Sequence, residues 1–204
     1  MKRAVAVALL GLGFWALALA LAGRHRKAQP RNPASSPVAA AKQNDKRYSP
    51  EAIRQVEAAI AQWPDDARRA GRRMLEKYGA PDQTTSRKLM WNDNGPWKRT
   101  TVWRDGGKAP LEQAAAYHVP NAQYGVIQHL PGQVSAERGQ DELVSRADVE
   151  PLNFLAVNLA DEAVSGKRTA DEAKSFYRQT SELALAGKSS PYMEGLLFET
   201  REKR

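Results

Sequence analysis

The chain has no cysteine and only three histidines in 204 residues. Without thiols it can form no disulfide framework, offer no thiolate to a metal, and carry no lipidated cysteine after its N-terminal apolar segment. His25, His118 and His129 lack the HExxH spacing of a helical zinc site, so no metal and no other cofactor is expected. There is no GxSxG elbow, no Walker loop and no GxGxxG, which leaves Ser-His hydrolysis and phosphate-loop nucleotide binding without motif support. Asn92-Asp93-Asn94-Gly95 matches part of an EF-hand loop. With Gly95 as the sixth position, however, Met90 is first and Thr101 twelfth, where that loop requires acids. Acid pairs such as Asp161 with Glu162 and Asp171 with Glu172 fall on helix surfaces or in a first turn, where solvation and capping account for them.

What the chain has in excess is positive charge, +8 overall, and it is unevenly spread. Residues 1–22 carry Lys2 and Arg3 and no acid. Residues 23–48 carry seven bases against Asp45 alone, and from Ser49 onward 22 bases meet 22 acids. The basic character therefore belongs to the leader and the linker, and it gives no reason to expect nucleic-acid binding.

Residues 4–22 form an uncharged apolar run behind Lys2 and Arg3 that closes on Ala20-Leu21-Ala22, the layout of a cleavable signal peptide. Nineteen helical residues at about 1.5 Å each also span roughly 28 Å, close to the hydrocarbon thickness of a bilayer, so an uncleaved anchor is the competing reading. Either places the protein in the periplasm or on the inner membrane facing it. Arg24, Arg26 and Lys27 resist translocation and favour the alternative, an inner-membrane protein facing the cytoplasm. Residues 23–48, rich in Pro, Ala, Ser and bases, cannot bury enough surface to order themselves and read as a disordered tether. Next to a membrane, each base there adds about 1 kcal/mol of attraction to anionic head groups.

The remaining residues, 49–204, read as a single α+β domain. Ser49-Pro50-Glu51 is a helix start, and Ile53, Val56, Ile60 and Trp63 mark its apolar face. Pro64-Asp65-Asp66 begins a second helix with Ala67, Ala70, Met74 and Tyr78 inward and Gly79 as its stop. Arg87–Trp91 and Trp97–Arg104 then flank an Asn-Gly hairpin signal. Further strands are expected over Leu111–Val119, Val134–Arg138 and Glu142–Arg146, with a short helix or loop through Tyr124, Val126, Ile127 and Leu130 between the first two. A helix from Asp148 to Gly166 and a Thr169/Glu172 capping box predict a C-terminal antiparallel helix pair, the last helix facing inward through Ala173, Phe176, Tyr177, Thr180 and Leu183. A tail from Tyr192 to Phe198 is expected to pack back. Strands that cluster together without alternating with helices predict a small antiparallel sheet covered on one face.

The hairpin is the unusual segment. Trp91, Trp97 and Trp103 alternate there with Arg87, Lys88, Lys98, Arg99 and Arg104, and residues 67–108 hold eleven bases against four acids. A basic, aromatic sheet edge can stack sugars or bases and hold anions, so Trp91, Trp97, Arg99, Trp103 and Arg104 are the candidate binding residues. The competing use of the tryptophans is to fill the core. His118 is the one candidate general base for an enzymatic alternative.

Lys77-Tyr78-Gly79-Ala80-Pro81-Asp82, Asn94-Gly95-Pro96-Trp97-Lys98-Arg99-Thr100 and Asn153-Phe154-Leu155-Ala156-Val157-Asn158-Leu159-Ala160 resemble segments of a group of uncharacterised bacterial proteins that usually carry an N-terminal leader. The resemblance spans roughly Met74 to Phe198 and implies no activity or site residue. A helix pair followed by a Trp-bearing hairpin is also similar to small envelope lipoproteins of outer-membrane assembly, from which this chain departs in lacking the lipidation cysteine. The combined expectation is a non-enzymatic cell-envelope protein that binds a protein or an anionic envelope component. The alternatives are an envelope-polymer hydrolase or transferase and a membrane-anchored protein of the cytoplasmic side.

Overall fold

The computed structural model describes residues 47–200; the expected leader and nearly all of the expected tether lie outside the described residues. Arg47 and Tyr48, at the end of the expected tether, already pack on the domain. Arg47 pairs with Asp82 at 2.6 Å and its carbonyl accepts the Ala80 amide, while the Tyr48 hydroxyl donates to the Lys77 carbonyl. No helix among the described residues is long and apolar enough to cross a membrane.

The domain is α+β. Two helices, α1 (Pro50–Ile60) and α2 (Asp65–Tyr78), precede a five-stranded antiparallel sheet of β1 (Gln83–Thr84), β2 (Lys88–Asn94), β3 (Trp97–Trp103), β4 (Leu111–Ala116) and β5 (Glu142–Ala147) in sequential order. A single helical turn, α3 (Tyr124–Ile127), lies in the β4–β5 connection, and the helices α4 (Glu150–Val164) and α5 (Ala170–Leu185) complete the chain before a short 3-10 turn, Pro191–Met193. The caps follow the sequence. Ser49 accepts the Ala52 amide with Pro50 at the first helical position, and Thr169 and Glu172 form the reciprocal capping box of α5.

Register decides which side of the sheet is buried. Leu89 pairs with Val102, which pairs with Leu111, which pairs with Ala147; alongside runs the row Trp91, Thr100, Gln113 and Ser145. This face meets α1 and α2 over β2 and β3, where Val56, Ile60, Trp63, Ala67, Ala70, Met74 and Leu75 pack on Leu89, Trp91 and Val102. Over β4 and β5 it meets α4 through Phe154, Ala156, Val157 and Ala160. Helix α4 is buried on both sides, because α5 and the tail cover its back through Ala173, Phe176, Tyr177 and Met193. That is why it reads as apolar almost all round.

Two strand expectations change. The third strand ends at Ala116, three residues early, and Val134–Arg138 is no strand: a single bridge joins Ser135 to Val144. Positive φ at Gly132, Gln133, Gly139 and Asp141 bends the chain away from the sheet on both sides of that bridge. The hairpin turn also differs in detail. Asn94 is the last residue of β2, and Gly95, with φ 67, and Pro96 are the two loop residues, which suits a turn that needs glycine first. In the C-terminal part, Leu183 and Leu197, expected inward, are about half exposed.

Gly132 needs its hydrogen. Its φ is 77, and a Cβ there would lie 2.5 Å from the Ala156 Cβ of α4. Gly166 has a similar φ of 75 with nothing within 4 Å. Gly166→Ala is expected to cost about 1 kcal/mol of unfolding free energy, the backbone penalty alone. Gly132→Ala is expected to cost at least about 2 kcal/mol, because strain and overlap add. Urea denaturation of both variants tests the difference, and equal costs would contradict this packing of loop on helix.

Candidate functional site

Two places concentrate chemistry-bearing side chains. The first is buried, where the end of α2, the hairpin and the start of α4 meet. Glu150, in the first turn of α4, is 5% exposed. Its Oε1 accepts hydrogen bonds from the Tyr78 hydroxyl at 2.5 Å, the Trp97 indole at 2.7 Å and the Gln113 amide at 3.0 Å, while Oε2 pairs with the Lys77 ammonium. Burial alone would raise the carboxyl's pKa. The four donors outweigh it and hold Glu150 below the ordinary carboxylate range. Tyr78 is pushed far up by the same burial and by the adjacent carboxylate, so its hydroxyl stays protonated as a donor.

The network continues inward. Gln113 and Asn94 both donate to the Thr100 hydroxyl, Asn153 donates to the Gln113 side chain at 3.0 Å and the Leu111 carbonyl, and Ser145 donates to Asn153 at 2.9 Å and the Gly132 carbonyl. Trp97 enters this region because Asp93, with φ 47, interrupts the strand alternation, after which Asn94 and Trp97 both turn inward. Its ring stacks on Phe154 with centroids 4.7 Å apart. The segments 77–82, 94–100 and 153–160 meet here, through Lys77, Tyr78, Asn94, Trp97, Asn153 and Phe154. With each Glu150 oxygen engaged, this cluster holds elements together, and Asn94 Oδ1 is its one buried side-chain oxygen without a hydrogen-bond partner among the described residues.

The second place is the sheet face turned away from the helices. Met90, Thr101, Glu112 and Arg146 form one row across it, and Asn92, Arg99, Ala114 and Val144 the next; Lys88 faces Trp103 at the end. Two hollows lie on it and share Glu112. One, of about 280 Å³, is lined by Arg87, Trp103, Asp105, Glu112 and Arg146. The other, of about 370 Å³, includes Arg99, Glu112, Ser135, Glu137 and Glu142. Glu142 is buried, yet Lys98 at 2.7 Å and Arg99 at 3.0 Å outweigh the effect of burial and hold its carboxyl below the ordinary range. The Trp103 indole donates to Glu112 at 3.1 Å, and the Lys88 ammonium sits 5.5 Å from its ring centroid.

The five candidate binding residues therefore separate. Trp91 and Trp97 are 0% and 1% exposed and lie in the core, where the Trp91 indole donates to the Gly79 carbonyl at 2.9 Å. Arg99 and Trp103 lie on the open face, and Arg104, just past β3, stands 3.9 Å from Asp105. The excess of bases over residues 67–108 is largely met from outside that segment. Arg68 pairs with Asp65, Arg69 and Lys108 with Asp66, Arg72 with Glu57, Lys77 with Glu150, and Lys98 and Arg99 with Glu142. His118 pairs with Asp141 at 2.8 Å, and both side chains are exposed. Among the described residues no cluster of His, Cys, Asp and Glu could hold a metal ion.

Sequence reasoning missed Glu150, which lies at the start of the helix expected from Asp148, and also Gln113 and Asn153. The available signal was polar residues inside apolar surroundings: Gln113 just before the small residues Ala114, Ala115 and Ala116, and Asn153 and Asn158 within residues 151–160, which are otherwise apolar. No family model, curated protein or solved structure matches the chain.

Glu150 links stability to pH. Because its folded pKa is depressed, its contribution is present above the ordinary value of about 4.5 and is lost as pH falls through the lowered folded value. Glu150→Gln is expected to cost about 3 kcal/mol at pH 7, since Tyr78, Trp97 and Gln113 lose their charged acceptor. The deficit relative to the parent chain should narrow below pH 4. Chemical denaturation from pH 3 to 7 checks this, and a deficit independent of pH would exclude an ionised Glu150.

Proposed function

We propose that the protein is a non-enzymatic binding module of the bacterial cell envelope, held at or exported across the inner membrane by residues 1–22 and spaced from it by the basic linker. The partner meets the open sheet face, at Arg99 and Trp103. One observation carries this reading: the helices cover a single face of the sheet, and the other displays two adjoining hollows lined by guanidinium, carboxylate and indole groups. Such faces on small domains take partners through a few anchored aromatic and arginine side chains. The leader supplies the compartment, and that compartment makes an anionic envelope component or an envelope protein the available partner. Of the sequence candidates, Arg99 and Trp103 remain in the proposed surface, Arg104 lines neither hollow, and Trp91 and Trp97 support the sheet from within.

Co-sedimentation of the full chain with purified peptidoglycan sacculi and with lipopolysaccharide tests the reading. Binding should be present at 50 mM salt, fall steeply by 500 mM, and weaken at least tenfold in Arg99→Ala/Trp103→Ala. Absence of binding to both would overturn it. So would release of soluble fragments that stops in His118→Ala, which would establish the hydrolase alternative.

A further inference from the structure

We propose that the hollow formed by Arg87, Trp103 and Arg146 is a subsite for an anionic sugar, a single ring bearing one carboxylate or phosphate. This rests on the reading of the open sheet face as the binding surface and names the chemistry of what it takes.

The first support is an unmet donor. Arg146 Nε is buried and has no hydrogen-bond acceptor among the described residues. The nearest carboxylate oxygen, Glu112 Oε2, is 3.7 Å away, too far for a hydrogen bond, and already accepts the Trp103 indole. A guanidinium cannot shed its charge, and although Nε itself is shut away, the Arg146 side chain is 34% exposed and lines the hollow, so an acceptor there would meet the terminal nitrogens of the same under-matched group. The second support is Arg87, which is exposed, lines the same hollow and forms no ion pair among the described residues, unlike most bases of the segment. Its backbone carbonyl accepts the Arg104 amide at 2.9 Å, which fixes it at the start of β2 beside Trp103. The lining also holds two carboxylates, but Glu112 is engaged by the Trp103 indole and lies 3.7 Å from Arg146, and Asp105 stands 3.9 Å from Arg104, which leaves the Arg87 guanidinium to match an oxyanion with charge-assisted hydrogen bonds.

Trp103 and the dimensions select the rest of the ligand. Its indole is anchored through its N–H on Glu112, so the ring is a fixed platform. The electron-rich face of an indole attracts the weakly positive C–H edge of a sugar ring. About 280 Å³ lies at the low end of ligand pockets and admits one ring. A nucleic-acid strand is disfavoured by the neighbouring hollow. There Glu112, Glu137 and Glu142 meet Arg99 and, through its pair with Glu142, Lys98, so three carboxylates stand against two bases and a second phosphate following the first would meet net negative charge. The anionic group therefore belongs at the Arg87 and Arg146 end.

The test uses the full chain in neutral detergent, labelled with ¹⁵N, and follows its five tryptophan indole signals during titration with glucuronate, glucose 6-phosphate and glucose. Trp103→Phe assigns its signal. Glucuronate or glucose 6-phosphate is expected to move the Trp103 signal saturably, with a Kd of about 1 mM, and glucose to leave it in place. The stronger of the two anions distinguishes a uronic acid from a sugar phosphate as the natural source. Arg87→Gln/Arg146→Gln should weaken binding at least tenfold, and Arg54→Gln on α1 should not change it. If the double variant loses its fold, Arg87→Gln alone, at an exposed position, should weaken binding at least threefold. No saturable shift, an equal response to glucose, or undiminished binding in the arginine variants overturns the subsite. If the chain still sediments with sacculi or lipopolysaccharide in an Arg99-dependent manner, only the subsite falls; if it does not, the binding-module reading falls with it.

Discussion

A carboxylate shut away from water must collect donors, and Glu150 collects them from three separate elements. Lys77 and Tyr78 come from the last turn of α2, Trp97 from β3 and Gln113 from β4. Leaving such a charge unpaired would cost several kcal/mol, a large part of what a small domain has in total. The fold in which all four donors arrive is thus separated from compact alternatives in which any one is missing. Position adds to this, since a negative charge in the first turn of α4 lies at the positive end of that helix. Arg73, which donates to the Asp148 carbonyl just before α4, ties the same two helices a second time.

Around that junction each half of the domain packs in its own way. Over β2 and β3 the contact is apolar, with α2 presenting small residues, Ala67, Ala70 and Gly71, so that the helix lies close to Leu89. Over β4 and β5 the contact mixes Phe154 and Val157 with the amides of Gln113 and Asn153. A row of hydrogen-bonded amides can be satisfied in one register only, because a one-residue slip would put Gln113 and Ser145 on the open face. Asn158 works similarly at the back of α4, donating to the Tyr192 and Gly195 carbonyls and accepting the Leu197 amide, and so fastens the tail.

Most of the elements were legible from local pattern. Helix faces spaced at three and four residues, the Ser49 cap, the Thr169 capping box and the Asn-Gly hairpin are near-neighbour signals, and with the turn residues between them the helices and four of the five strands follow from local pattern. What eluded the sequence depends on distant partners. Trp97 shares strand parity with Arg99 and Trp103, and it leaves their face because Asp93 takes a positive φ, which composition does not reveal. Glu150 has the appearance of any first-turn acid, and its burial follows from α2 closing over it. The basic stretch looked like an anion-binding surface because its counter-charges, Glu57, Asp65, Asp66, Glu142 and Glu150, lie outside the counted window.

That pairing changes where a charged ligand can act. A base already held by a carboxylate offers an incoming anion little, since the gain is offset by the pair that must loosen. On α1 and α2, Arg54, Arg68 and Arg69 pair with a carboxylate three residues earlier, Arg72 bridges the two helices to Glu57, and Arg73 is spent on the Asp148 carbonyl. Across the open face the balance differs between the two ends. Lys98 and Arg99 share the buried Glu142, whereas Arg146 keeps a donor without an acceptor and Arg87 has no ion-pair partner among the described residues. The same demand that buried charge be matched, which assembles the domain at Glu150, thus leaves its unmet remainder beside Trp103, the one tryptophan of the hairpin that the core does not take up.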